Sequence, residues 1–110
     1  MKVEVLYSAG CPNHPPAVNR VWEALRAEGV TANVFEVEVK TADSANAVGF
    51  LGSPTIRING QDVELAARLH RGSRLMCRIY THYGYRAGVP PVEWIRAAIR
   101  EARNVSRVLI

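Results

Sequence analysis

An α/β domain with a mixed sheet is the fold class this sequence predicts, and three observations predict it. Strand-like and helix-like patterns alternate along the 110 residues in the order β-α-β-α-β-β-α. The first two strand patterns are separated by a full helical pattern, which requires a parallel pair with a right-handed crossover. The last two strand patterns read as a hairpin, so the four-stranded sheet holds both senses. Helices before, between and after the strands are expected to cover both of its faces.

The elements follow in order. "KVEVLYS" alternates and is rich in β-branched residues, which marks a strand. Asn13 stands where a helix cap belongs, and His14, Pro15 and Pro16 fill a first turn in which missing proline amides cost nothing. Val18, Val21, Trp22 and Leu25 form an apolar stripe at helical spacing, and Gly29 ends it. "ANVFEVEVK" is a second strand. "TADSANAVGFLG" is a short helix capped by Thr41 or Asp43 and weakened by Gly49 and Gly52. "PTIRING" is a third strand closing on a tight turn at Asn59–Gly60. "LMCRIYTHY" reads as the fourth strand. The stretch from Gln61 to Arg74 is longer than a hairpin needs and has room for a partial helix. "PPVEWIRAAIREARN" is the last helix, with Trp94, Ile95, Ala98, Ile99 and Ala102 on one face. The apolar tail "VSRVLI" is expected beyond it, packed back or covering a partner subunit.

With no repeat, linker or change of composition, residues 1–110 read as a single domain. At 48% hydrophobic and 22% charged, the chain has the balance of a globular protein that buries a core without staples. Residues 2–7 are too few and too polar for the apolar region of a signal peptide, and no run approaches the roughly 18 residues of a membrane span. The expected location is the cytoplasm, where thiols stay reduced, with no membrane partner. The formal charge of +4 is spread through scattered arginines, and only "RLHRGSRLMCR" lacks interleaved acids. No nucleic-acid motif accompanies it, so it reads as a solvated loop rather than a nucleic-acid surface.

The chemistry gathers at "GCPNH", Gly10 to His14, where the first strand feeds the first helix. Backbone amides and the helix dipole at such a junction favour a thiolate over a thiol. Cys11 lies two residues outside an Asn13 cap, which weakens that help. His14 adds a donor or a charge three residues on. Where a redox pair would place its second thiol, this chain has histidine. A zinc site would need Cys11 and His14 joined by two of Cys77, His70 and His82, whose spacing fits no zinc pattern. No cofactor is implied.

The element order, "GCPNH", and "GSPT" (Gly52 to Thr55) opening the third strand together resemble the thioredoxin fold over nearly the whole chain. "FLGSPTIRINGQDVE", followed by "CRIY" and "GVPP", is similar to a group of small bacterial thioredoxin-like proteins, some named alkylmercury lyase-like. The resemblance implies that Cys11 is the nucleophilic thiol, that His14 takes the place of the resolving thiol (C-P-N-H for C-x-x-C), and that Pro54 is a cis-proline facing Cys11. It also implies that the Ser53–Pro54 edge pairs with an extended substrate chain, a strand-addition mode. Ser53 and Thr55 are then substrate-binding candidates, and Arg57 or the Arg71–Arg74 loop would hold the carboxylate of a small thiol. Tyr7, Phe50, Tyr80, Tyr83 and Tyr85 are candidates for the walls of the groove or for plain packing.

The expected activity is monothiol exchange. Cys11 attacks a disulfide or a soft electrophile, and a small thiol or protein thiol partner resolves the product. Two other readings stand beside it: a non-catalytic binding module or homodimer, and a thiol protein that handles soft metals or organomercurials. Cys77 reads first as a core cysteine. Its alternative role, resolving Cys11, is opposed by a fourth strand whose far end, near Thr81 to Tyr83, would lie closest to Pro54.

Overall fold

The computed structural model describes the backbone of residues 1–109. Helix α1 (His14–Glu28) follows strand β1 (Lys2–Tyr7), and β2 (Asn33–Glu38) and α2 (Ala42–Val48) come next. Strand β3 (Thr55–Ile58) turns through Asn59–Gly60 into β4 (Gln61–Asp62). A 3₁₀ turn (Leu65–Leu69), the hairpin β5 (Tyr80–His82) and β6 (Tyr85–Ala87), and helix α3 (Val92–Leu109) complete the chain.

The main sheet has four strands in the order β2-β1-β3-β4. β1 runs parallel to β2, with Val3 beside Val34, and antiparallel to β3, with Leu6 beside Thr55. The architecture is therefore α/β with a mixed four-stranded sheet, but its fourth strand is not the expected one. β4 is a two-residue strand at Gln61–Asp62, placed there by the Asn59–Gly60 turn, both of whose residues have positive φ. The stretch read as strand four splits instead. Cys77 makes one parallel bridge with Ser53, and Tyr80–His82 folds onto Tyr85–Ala87 in a separate hairpin across Tyr83–Gly84. The cause is competition for an edge: β4 already occupies β3 at Arg57 and Ile58, leaving only its beginning open.

Strand alternation splits the interior in two. Val3, Val5, Ile56 and Ile58 face α1 and α3, meeting Val21, Leu25, Ile95 and Ile99 in the larger core. Leu6 faces the other way and packs with Val39, Ala45 and Phe50 beneath α2. The second face is covered only at that corner, because α2 is seven residues long. Phe35 stays 47% exposed there, with the Lys2 ammonium 5.7 Å from its ring centre.

Local signals account for most element ends. Prolines occupy the first turn of α1, and Gly29 closes it in the left-handed region. The Thr41 hydroxyl caps α2 by accepting from the Ser44 N–H at 3.0 Å. Two helix details differ from expectation. Asn13 makes no capping bond; its side chain lies against Gly88, where a Cβ would come within 2.0 Å of the Asn13 amide nitrogen. Trp22 is exposed, and Ala17 and Ala24 take the buried positions beside Val21 and Leu25. Helix α3 also extends through Leu109, since no glycine or proline interrupts "VSRVLI". Of the tail expected to pack back or cover a partner, Val105 is 53% exposed, and the side chains after it lie outside the described residues.

Candidate functional site

Cys11 sits in the turn between β1 and α1. Its N–H donates to the Ser8 carbonyl at 3.2 Å, and its own carbonyl accepts from the His14 N–H at 3.2 Å. The two bonds wind the chain from strand to helix and leave the thiol half-buried and free. Ser8 in turn donates its N–H to the Ser53 hydroxyl at 3.0 Å. The Cys11 turn is thus tied to the residue before Pro54, and the Ser53–Pro54 bond is cis.

Ser53 and Thr55 are both fully buried and internally engaged. The Thr55 hydroxyl donates to the Gly52 carbonyl at 2.7 Å and accepts from the Arg78 guanidinium at 3.0 Å. The backbone edge of Ser53 is not open to an incoming chain. Its N–H donates to the Met76 carbonyl at 2.8 Å, and its carbonyl accepts from the Arg78 N–H at 3.0 Å. The chain's own Met76–Arg78 segment holds the edge that was expected to receive substrate. Gly52 permits this close approach, because a Cβ there would stand 2.9 Å from the Arg78 Cβ.

His14 is held away from simple solvent exposure by two residues. Its Nε2 lies 2.7 Å from a Glu36 carboxylate oxygen, and its ring stacks on Tyr7 with centroids 3.6 Å apart and planes 9° from parallel. Among the described residues the side-chain hydrogen bond of the ring runs to Glu36, not to the Cys11 sulfur. Glu36 was missed in the sequence. The available signal was a carboxylate on the same face of β2 as Val34, beside Val5 and facing α1.

Arg57 is not brought to Cys11. It lies on the face of β3 opposite Ile56 and Ile58, opposite Glu4 in register, and its guanidinium donates to the Gly49 carbonyl at 3.1 Å. The Arg71–Arg74 loop lies nearer Cys77: Arg74, His70, Met76 and Cys77 border an open cavity of about 480 Å³. Cys77 itself is exposed rather than part of the core. The aromatic wall does not form either. Phe50 and Tyr80 are buried, the Tyr85 hydroxyl joins the Val89 carbonyl to Arg20, and Tyr83 projects into solvent. Tyr7 alone of the five lies beside His14.

Behind the site, Arg78 is a buried anchor. Its guanidinium donates to Asp62 at 2.8 and 3.1 Å and to Glu64 at 2.9 Å, and it lies over the Tyr80 ring. Burial alone would lower its pKa, but the Asp62 and Glu64 bonds outweigh that and hold it above the ordinary arginine value. Burial pushes the Tyr80 phenol well above its usual value, and its hydroxyl donates to the Pro54 carbonyl. Among the described residues, no group of three or more His, Cys, Asp or Glu side chains could hold a metal ion, and no helix is long and apolar enough to cross a membrane.

No protein-family model, curated protein or solved structure matches this chain.

Proposed function

We propose that the chain is a thioredoxin-like thiol–disulfide exchange protein of the cytoplasm, with Cys11 as its nucleophile. The observation that carries the reading is the fastening of the Cys11 turn to Ser53 through Ser8. It fixes an accessible thiol ahead of a helix, beside the Ser53–Pro54 backbone. A parallel β1–α1–β2 unit with an antiparallel β3 supports the thioredoxin-like reading of the fold.

In the exchange, the Cys11 thiolate attacks one sulfur of a substrate disulfide. A mixed disulfide forms, and the other substrate sulfur leaves as a thiolate that takes a proton from solvent. A further thiol attacks the mixed disulfide and frees the remaining half. His14, fixed between Tyr7 and Glu36, shapes the field beside the sulfur instead of bonding to it. The partner class is a small thiol or a protein thiol or disulfide.

The test is trapping of mixed disulfides in cell extract. Cys77→Ser, which leaves Cys11 as the lone thiol, should capture a disulfide partner released by reductant, and Cys11→Ser should capture none. Equal capture by both variants, or a Cys11 that reacts with iodoacetamide no faster than a free cysteine peptide at every pH, removes the reading.

A second reading, a binding or dimerisation module, rests on the partly uncovered sheet face around Phe35 and Val37. A dimer in sedimentation that is lost in Phe35→Lys, together with an inert Cys11, would favour it.

A further inference from the structure

We infer that Cys77 is the second thiol of this site, closing an intramolecular disulfide with Cys11 after Cys11 has attacked a substrate. The inference rests on the proposed reactivity of Cys11. It goes beyond it by replacing the external resolving thiol with a residue 66 positions along the chain.

Both cysteines are referred to the same residue. Ser53 is bonded through its hydroxyl to Ser8, whose carbonyl holds the Cys11 amide. On its backbone side Ser53 pairs with Cys77, the two residues directly opposite in a parallel bridge. Neighbouring strands lie about 4.8 Å apart, so Cys77 is one strand spacing from the residue that fixes the Cys11 turn. The expectation that the Cys77 end of its segment lies far from Pro54 depended on a regular antiparallel fourth strand, which does not form.

Three features build this placement. Gly52 has no Cβ to push the segment away. The Arg78 side chain is buried against Thr55, Asp62 and Glu64, which locks the chain immediately after Cys77. Cys77 itself is exposed, at the rim of the cavity it shares with Arg74 and Met76. Ahead of Cys77, residues 70–76 hold no helix or strand, and Leu75 and Met76 are exposed. The Arg74 N–H on the Phe50 carbonyl and the Ser53 N–H on the Met76 carbonyl nevertheless hold that stretch in place, so it is the Cys11 turn that must bring the two α-carbons within the roughly 7 Å a disulfide spans.

The chemistry balances without an added oxidant. Cys11 opens a substrate disulfide and forms a mixed disulfide, releasing the first substrate thiolate. The Cys77 thiolate then attacks the Cys11 sulfur, the mixed disulfide breaks, and the second substrate thiolate leaves. Two protein thiols are oxidised to one disulfide, and one substrate disulfide is reduced to two thiols. A tethered thiol acts at an effective concentration on the order of millimolar, so closure outruns attack by a second chain at micromolar protein.

The experiment treats the reduced protein with one equivalent of the aromatic disulfide 5,5′-dithiobis(2-nitrobenzoate), followed by intact mass and peptide mapping. Wild type should release both aromatic thiols and retain no adduct, having lost two hydrogens, with a Cys11–Cys77 linkage and a closure rate independent of protein concentration. Cys77→Ser should release one aromatic thiol and keep the other on Cys11. Cys11→Ser should react more slowly than Cys77→Ser. A wild-type protein that keeps its adduct on Cys11, or links only between chains, overturns the inference and leaves Cys11 as a lone nucleophile. Failure of Cys11 to react in Cys77→Ser overturns the proposed function as well.

Discussion

Arg78 and Asp62 meet through two hydrogen bonds, 2.8 and 3.1 Å long, with each side chain only 6% exposed. A buried pair of this kind is costly to break from one side, because the remaining charge is left without water or partner. Arg78→Met should destabilise the fold by about 3–5 kcal/mol, measured by urea unfolding. The double variant Arg78→Met with Asp62→Leu should recover much of that loss, since only the partly exposed Glu64 carboxylate is then left without its Arg78 partner. A double variant as unstable as the single one would mean that Glu64 and Thr55, not Asp62, carry the interaction.

Gly52 has φ +118°, a conformation open in practice to glycine, and its missing Cβ is what lets the Met76–Arg78 backbone reach Ser53. Gly52→Ala should therefore cost about 1–3 kcal/mol, with added protection lost at the Ser53 and Arg78 amides in hydrogen exchange. Unchanged exchange at those two amides would show that the segment pairs with Ser53 without needing the glycine.

The sequence made several of these elements readable because their causes are local. Prolines after Asn13 mark the start of α1, Thr41 with Gly49 brackets α2, and Asn59–Gly60 dictates the β3–β4 turn. The misreading of residues 75–83 has a nonlocal cause. Arg78 and Tyr80 are buried at alternate positions, which looks like one face of a strand. They are buried by an ion pair with Asp62 and by a hydroxyl bond to Pro54, partners 16 and 26 residues away. At the site, Cys11 and the cis Ser53–Pro54 pair could be found from short motifs. The grip of Glu36 on His14 was missed, because it depends on the register that sets Glu36 beside Val5, which the expected β1–β2 pairing leaves open.

Glu28 gives the fold a defined acid limb. Its carboxylate accepts from Arg96 and Arg100 at 2.8 Å each, with Arg103 alongside, joining the end of α1 to α3. The Arg96 hydrogen bond is the main cause holding its pKa below the ordinary 4.5, assisted by the nearby arginine charges and opposed by burial. A carboxylate depressed in the folded state contributes stability that is present above about 4.5 and disappears as pH falls through its folded value. Glu28→Gln should be less stable than wild type at pH 7, and the difference should shrink as the pH drops toward 3. A gap that stays constant with pH would show that the side chain acts by packing alone.

Tyr80 sets the opposite limb. Its hydroxyl is buried and donates to the Pro54 carbonyl, and burial raises its pKa above the ordinary 10.0. In the unfolded chain the phenol ionises near 10, whereas in the folded chain it keeps its proton. Above that pH the unfolded state binds fewer protons, so the stability contributed by Tyr80 falls as pH rises from about 10 toward the folded value. Tyr80→Phe leaves the Pro54 carbonyl without its donor and should cost about 1–3 kcal/mol at neutral pH. Its stability should then decline less steeply than that of wild type above pH 10, so the two curves converge. Parallel curves in urea titrations from pH 7 to 11 would mean that the phenol ionises equally in both states, and that the hydroxyl does not hold Pro54.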